Sequence, residues 1–313
     1  MIQVCLWEDG RVVLGAEELL DRPGPKWIDV LEPDAEVLAR LADRFQLHRL
    51  AVEDCLHLDQ RPKLEEYPHH QFIVLQGFTC GKEVTELTLH EQHFFLGQDW
   101  LISVHQLRLP SHDAVLRRVK DDPAGTLGRG VDVVLYLLAD GLVDAQFPIM
   151  DDFSDQLEDL EDAIFAEPDP AQLQRIFQLK RSLVTLRRVL SPQRDVVGML
   201  SRRGIPQIHE KTTLYFRDVY DHLVRLYEQI DASRDVVGNV MDGYLSMVAN
   251  RTNDISKQLT IFATLFLPLS FIVGFFGQNF DQLSGKGWYY AMWVTMLGFP
   301  VGLIGWFKYK KWI

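Results

Sequence analysis

The stretch Leu259–Phe280, LTIFATLFLPLSFIVGFFGQNF, runs 22 residues without a formal charge and closes on two amides, Gln278 and Asn279. At 1.5 Å per residue, a helix of this length crosses the roughly 30 Å of a bilayer's hydrocarbon. A second uncharged run, Trp288–Phe307, follows after the linker DQLSGKG. So short a linker makes the two runs a hairpin with both outer ends on one side. Lys308, Lys310 and Lys311 come directly after the second run, whereas the linker carries only Asp281 and Lys286. Positive charge stays on the cytoplasmic side of a membrane, so both termini are expected there. Trp288, Tyr289, Tyr290, Trp306 and Trp312 stand where interfacial aromatic belts form. A hairpin buried in a soluble core is the competing reading, and these flanks disfavour it.

The remainder of the 313 residues reads as an acidic soluble protein, and the whole chain has a net charge of −12. That charge argues against nucleic acid as a partner and suits a protein that meets cations, although acidity also serves solubility. Cys5, Cys55 and Cys80 are odd in number, widely spaced and form no CxxC. A disulfide framework or thiolate zinc site is therefore not expected, and a reducing compartment fits. The start, MIQVCLWEDGRVV, has no basic segment leading into an apolar one. No secretory signal is expected, and the large N-terminal part is expected in the cytoplasm.

Ahead of the first run the pattern is helical. Between Thr213 and Gln258, apolar residues recur at Tyr220, Leu223, Tyr227, Ile230, Val237, Met241, Tyr244 and Val248, a heptad spacing broken at Arg234. No proline intervenes before Pro268. Continued into the membrane, this is one helix of about 64 residues and about 96 Å, a stalk packed along other helices. Upstream, 132–166 and 171–200 are expected as two helices, with stripes at Ile149, Phe153, Leu157, Leu160, Ile164 and at Ile176, Leu179, Leu183, Leu186, Leu190. Asp169 as N-cap and Pro170 at the first helical position mark the turn of an antiparallel hairpin. The acidic DDFSDQLEDLED and the basic LKRSLVTLRR are expected to line one another with complementary charge.

Residues 1–107 read as α/β. QFIVLQGF, ELTLHEQHFFLG and WLISVHQ are strand candidates, while DAEVLARLADRFQLH and RLAVEDCLHL are helical. No phosphate loop, HExxH or GxSxG occurs, and no nucleophile–base set, so an enzyme is not expected. His69, His70, His90 and His93 form the densest histidine clusters. His90 and His93, three apart on a strand, point to opposite faces, so these are read as surface or core histidines.

Within the first run, Asn253, Ser256, Leu259, Ala263, Leu267, Ser270 and Gly274 fall on one helical face, with Phe262, Phe266, Phe271 and Phe275 largely elsewhere. Two readings stand: a helix–helix seam of small residues, or a pore lining in which leucines constrict and hydroxyls and amides meet the ion. One span per chain cannot enclose a pore, so the second reading requires a cyclic oligomer.

LTIFATLFLPLSFIVGFFGQNF, the short loop, the second run and KYKKW together resemble the CorA family of divalent-cation transporters. The likeness extends through TLYFRDVYDHL (Thr213–Leu223) and VEDCLHLDQRPKLE (Val52–Glu65). It implies an α+β, funnel-shaped homopentamer in the cytoplasmic (inner) membrane, with lipid bilayer and metal ions as its other partners. It implies no cofactor, only a divalent cation as substrate and regulator. Gly277, Gln278 and Asn279 match the family's Gly-Met-Asn signature, and Asn279 would form a ring at the outer mouth. Asp54 and Asp218, with Glu53 and Asp140 near them, match regulatory metal positions between neighbouring subunits, where a cation holds the channel closed. Leu259 and Leu267 would be hydrophobic gates. Gln278 departs from the signature methionine, and the loop keeps only Asp281 as acid while adding Lys286.

The organisation so implied is an α/β domain (1–130), a helical hairpin (131–212), a stalk (213–258) and a pore-lining span (259–280). An outer loop (281–287), a second span (288–307) and a basic tail (308–313) complete it. The expected function is Mg²⁺ transport, with Co²⁺ or Ni²⁺ carried as well. The ZntB branch, similar in fold, offers a zinc transporter with proton coupling as the alternative. A non-conducting, membrane-tethered cation sensor is the third reading.

Overall fold

The computed structural model describes residues 2–57, 59–202, 204–278 and 285–312. Asn279 and Asp281 lie outside the described residues. The chain divides into two compact units, one of residues 1–163 and 169–241, the other of residues 164–168 and 242–313.

The first unit is built on a seven-stranded sheet. Its strands are β1 (Ile2–Glu8), β2 (Arg11–Gly15), β3 (Lys26–Leu31), β4 (Lys63–Glu66), β5 (Gln71–Cys80), β6 (Leu87–Leu96) and β7 (Trp100–His105). The order is β2-β1-β3-β7-β6-β5-β4, antiparallel except where β3 meets β7. The candidate strands of the sequence are β5, β6 and β7; β1 to β4 were not anticipated. A two-residue turn at Asp9 and Gly10, with φ of 50° and 80°, closes the β1–β2 hairpin. Asp-Gly is the pair such a turn favours.

Side chains alternate between the sheet's two faces. On one, Ile28, Val30, Phe72, Val74, Ile102 and Val104 are buried with α1 (Ala35–Phe45) and α2 (Arg49–Leu56). The other carries α3 (Pro110–Asp121) and α4 (Val131–Asp144). There β5 must present Gly77, because a Cβ would stand 2.6 Å from Leu142 of α4.

The helix expected over 132–166 is two helices, α4 and α5 (Phe147–Ala166), with a turn at Ala145–Gln146. Pro148 has no N–H to continue the ladder, so the first helix stops short of it. Helix α4 is apolar enough to enter a membrane by composition, but ten of its residues are buried inside the unit. Asp169 caps α6 (Pro170–Leu200) in a reciprocal capping box with Gln172. The expected α5 and α6 stripes, Phe153 to Ile164 and Ile176 to Leu190, are buried. Of the basic stretch, Arg187 pairs with Asp231, and among the described residues no ion pair joins that stretch to the acidic one of α5.

Helix α7 (Glu210–Phe276) is a single 67-residue helix. It starts three residues before Thr213 and ends at Phe276, with Gly277 N–H closing on the Val273 carbonyl at 2.8 Å. Its buried seam runs Phe216, Val219, Leu223, Leu226, Ile230, Ser233, Val237, Val240 and Tyr244. Tyr220, Tyr227 and Met241 flank that seam half-buried. The apparent break at Arg234 therefore disappears, because Ser233 occupies the seam and Arg234 faces solvent. Helix α8 (Lys286–Tyr309) begins two residues before the expected second span.

Candidate functional site

In the first unit, α4 and the start of α7 are aligned by a ladder of polar and aromatic pairs. Asp132, fully buried in the first turn of α4, accepts from the His209 backbone N–H at 2.9 Å and meets its Nδ1 at 3.0 Å. One turn on, Tyr136 stacks on Tyr215 with ring centroids 5.1 Å apart. The next turns bring Asp140 beside Asp218, and Asp144 to His222, whose Nδ1 lies 2.9 Å from Asp144 Oδ1. Ligand atoms of Asp140, Asp144 and His222 lie within 4.8 Å of one another.

Burial and the neighbouring Asp144 and Asp218 charges push the Asp140 carboxyl up to about 6, against the opposing pull of His222 and Arg118. Burial and the same acids push Tyr136 up to about 12. Repelling carboxylates with too little positive charge among them are what a divalent cation satisfies. An open groove of about 410 Å³ reaches Asp140 past Arg118, Ser111 and Pro110.

Of the sequence-derived candidates, Asp140 stands in this cluster, and Asp218 is near enough for its charge to raise the Asp140 carboxyl. Asp54 and Glu53 sit on α2, against the opposite face of the sheet. Asp54 Oδ2 accepts from Lys63 Nζ at 2.5 Å, and Glu53 is exposed. Sequence reasoning missed Asp144 and His222. The signal was present: Asp140/Asp144 and Asp218/His222 each stand four apart on a helix, and so on one face.

In the second unit, the stripe Asn253, Ser256, Leu259, Ala263, Leu267, Ser270 and Gly274 is exposed along its length, with Leu259 and Leu267 at 70%. Ile261, Leu265, Pro268, Ile272 and Phe276 are half-buried and lie on the opposite side of α7. That side meets α8, where Ile272 and Phe276 line a cleft with Val294, Thr295 and Gly298. Phe276 also approaches Trp288, 6.3 Å between centroids. Helix α8 exposes Val294, Leu297, Val301 and Ile304. Such apolar exposure on both helices is what a lipid or helical partner covers. Gly277 and Gln278 are exposed in the turn that ends α7, and Lys286 is exposed at the start of α8.

The profile of the CorA-like Mg²⁺ transporter family matches residues 23–310. A Thermotoga maritima cobalt/magnesium transport protein CorA is 35% identical, over 94% of this chain and 85% of its own. A Yersinia enterocolitica zinc transport protein ZntB is 27% identical, over 81% of this chain and 77% of its own. The solved CorA magnesium transporter of Methanocaldococcus jannaschii superposes with a TM-score of 0.86 at 22% identity, covering 100% of this chain and 99% of its own. The family match and the apolar helices thus define the class: a divalent metal ion transporter of the membrane, in a family of transporters rather than enzymes. The chain belongs to the CorA-like Mg²⁺ transporter family.

Proposed function

We propose that this chain assembles as a pentameric channel of the cytoplasmic membrane that conducts Mg²⁺, and Co²⁺ or Ni²⁺ with it. The observation that carries this reading is the stripe of α7. Seven small, polar or leucine residues face away from α8 and are exposed in the single chain. A ring of five such helices turns the stripe inward, with Leu259 and Leu267 as apolar constrictions and Ser270 and Asn253 as polar rings. Asn279 completes the lining at the outer mouth, where an amide holds a hydrated Mg²⁺ through its waters. The N-terminal unit and the C-terminal tail face the cytoplasm in this arrangement, as the lysines after α8 support.

The cluster of Asp140, Asp144, Asp218 and His222 supports feedback by cytosolic cation. In the assembled funnel, Asp54 and Glu53 of a neighbouring copy would complete it, and Lys63 would release Asp54. Cation bound there relieves carboxylate repulsion and stabilises the closed state by mass action.

A ZntB-like zinc carrier is the second reading, favoured by Gln278 in place of methionine and by Lys286 near the mouth, which weakens cation attraction. Replacing Asn279 by Ala in the full chain is expected to abolish Mg²⁺ uptake while the pentamer persists on size exclusion. Normal uptake by that variant would remove Asn279 from the pathway.

A further inference from the structure

The sheet face that carries α3 and α4 holds a second cluster, built of nitrogen as well as oxygen. Strand register assembles it. Asp29 on β3 stands opposite Ser103 on β7, and Leu31 opposite His105, so Asp29, Ser103 and His105 share a face. The chain then turns into α3, whose first turn sets His112 over the same spot, its ring centroid 4.4 Å from that of His105. Ligand atoms of Asp29, His105 and His112 lie within 4.8 Å of one another, and all three residues are buried.

Three features point to a bound ion. His105 Nδ1 lies 3.0 Å from the Leu107 carbonyl, which only accepts, so Nδ1 carries a proton; Nε2 donates to Asp29 Oδ1 at 2.9 Å, and a metal ion between the two displaces that second ring proton. Fixing one ring nitrogen and aiming the other is how a second shell prepares a histidine ligand. Asp29 is fixed as well, by Ser103 Oγ at 2.6 Å and Arg108 Nη2 at 2.5 Å, while Trp27 Nε1 donates to Ser103 at 2.8 Å. His112 is 2% exposed, and neither of its ring nitrogens has a hydrogen-bond partner among the described residues. Burial first, then the neighbouring His105, push it down to about 4, so its ring is neutral and offers a lone pair. A buried imidazole with neither nitrogen satisfied is an incomplete site.

We propose that Asp29, His105 and His112 bind a first-row transition-metal ion, Zn²⁺ by preference, in a buried two-histidine, one-carboxylate site. Imidazole pairs select Zn²⁺, Co²⁺ or Ni²⁺ over Mg²⁺, which demands oxygen. Zinc holds such ligands at about 2.0–2.2 Å, so side-chain shifts of about 1 Å gather the three atoms. Arg108 is the competitor for Asp29. Its side chain is partly exposed, and its Nε already lies 3.8 Å from Asp113. Moving the guanidinium toward Asp113 opens the site and takes a like charge away from the metal. The site is separate from the Asp140 cluster and independent of the transported ion.

The test is calorimetric titration of Zn²⁺ into the chelator-stripped, full-length protein, with Co²⁺ absorption as a second readout. Both are run in an Asp140→Asn, His222→Ala background that disables the carboxylate cluster. One Zn²⁺ per chain is expected to remain in that background. His112→Phe should weaken it by at least about 100-fold and erase the visible Co²⁺ bands. Arg108→Gln should tighten it by about tenfold, because a competing cation is gone. Unchanged Zn²⁺ affinity in His112→Phe overturns the proposal. So does Arg108→Gln binding no tighter than its parent, the outcome of a purely structural Asp29–His105–Arg108 ion-pair network. If His112→Phe does not fold, the Arg108 variant decides alone.

Discussion

Asp140 holds its proton to about pH 6 because it is buried among Asp144 and Asp218. The unfolded chain releases that proton near the ordinary aspartate value, about 4. Between these values the folded state binds more protons than the unfolded one, so its stability falls as pH rises from about 4 to about 6. A cation that binds the ionised cluster reverses this cost. Mg²⁺ should therefore raise the thermal midpoint more at pH 7.5 than at pH 5. Asp140→Asn should raise the midpoint of the metal-free protein at pH 7.5 and shrink the Mg²⁺ response; thermal unfolding with and without Mg²⁺ reads both. Equal Mg²⁺ responses at the two pH values would rule out this titration. Single residues were also the least legible level of the sequence. Asp140 and Asp218 were found through resemblance, and the only local signal of their partners was the four-residue spacing to Asp144 and His222. Asp29, His105 and His112 come from a strand, the end of another strand and a helix start, so only the parallel β3–β7 register brings them together.

Elements were legible where a period was strong and unbroken. The α5 and α6 stripes follow from spacing alone, and the cap at Asp169 from its chemistry. In α7 the heptad was recognised but half its seam was misplaced. Tyrosines and Met241 outrank Ser233 in apolarity, yet Ser233 is small enough to sit in the packed seam while Tyr227 leans out to accept from Arg187 at 2.9 Å. Strands β1 to β4 were missed because two are short and pairing, not periodicity, holds them; the Asp9-Gly10 turn was the available signal. The seam makes a sharp contrast testable by thermal denaturation. Leu226→Ala should cost about 2–5 kcal/mol, and Arg234→Ala at most about 0.5 kcal/mol. A larger loss at Arg234 would restore the seam that runs through it. On the membrane part of the same helix, Ser270→Phe should block ion flux without loss of the folded protein, because it fills the exposed stripe. Phe266→Ala, off that stripe, should leave most of the flux. Equal effects at the two positions, measured in one flux assay, would contradict a pore along the stripe.

At the scale of the whole molecule, the two uncharged runs read from the sequence fall in α7 and α8, both long and apolar enough to cross a membrane. The family match bears out the class of transporter that the signature and loop suggested. Ion identity was not legible, because relatives named for cobalt and magnesium and relatives named for zinc share the fold's sequence at comparable coverage. In the proposed channel the choice falls to Gln278, Asn279 and Lys286, whose effect is a small difference between hydration and coordination energies. Ion flux into liposomes holding the purified full chain is the most direct measurement. Mg²⁺ and Zn²⁺ are compared, with and without a pH gradient. The expected result is Mg²⁺ entry that ignores the gradient and disappears in Ser270→Phe. Zn²⁺ entry that follows the gradient, with no Mg²⁺ entry, would contradict the Mg²⁺ channel.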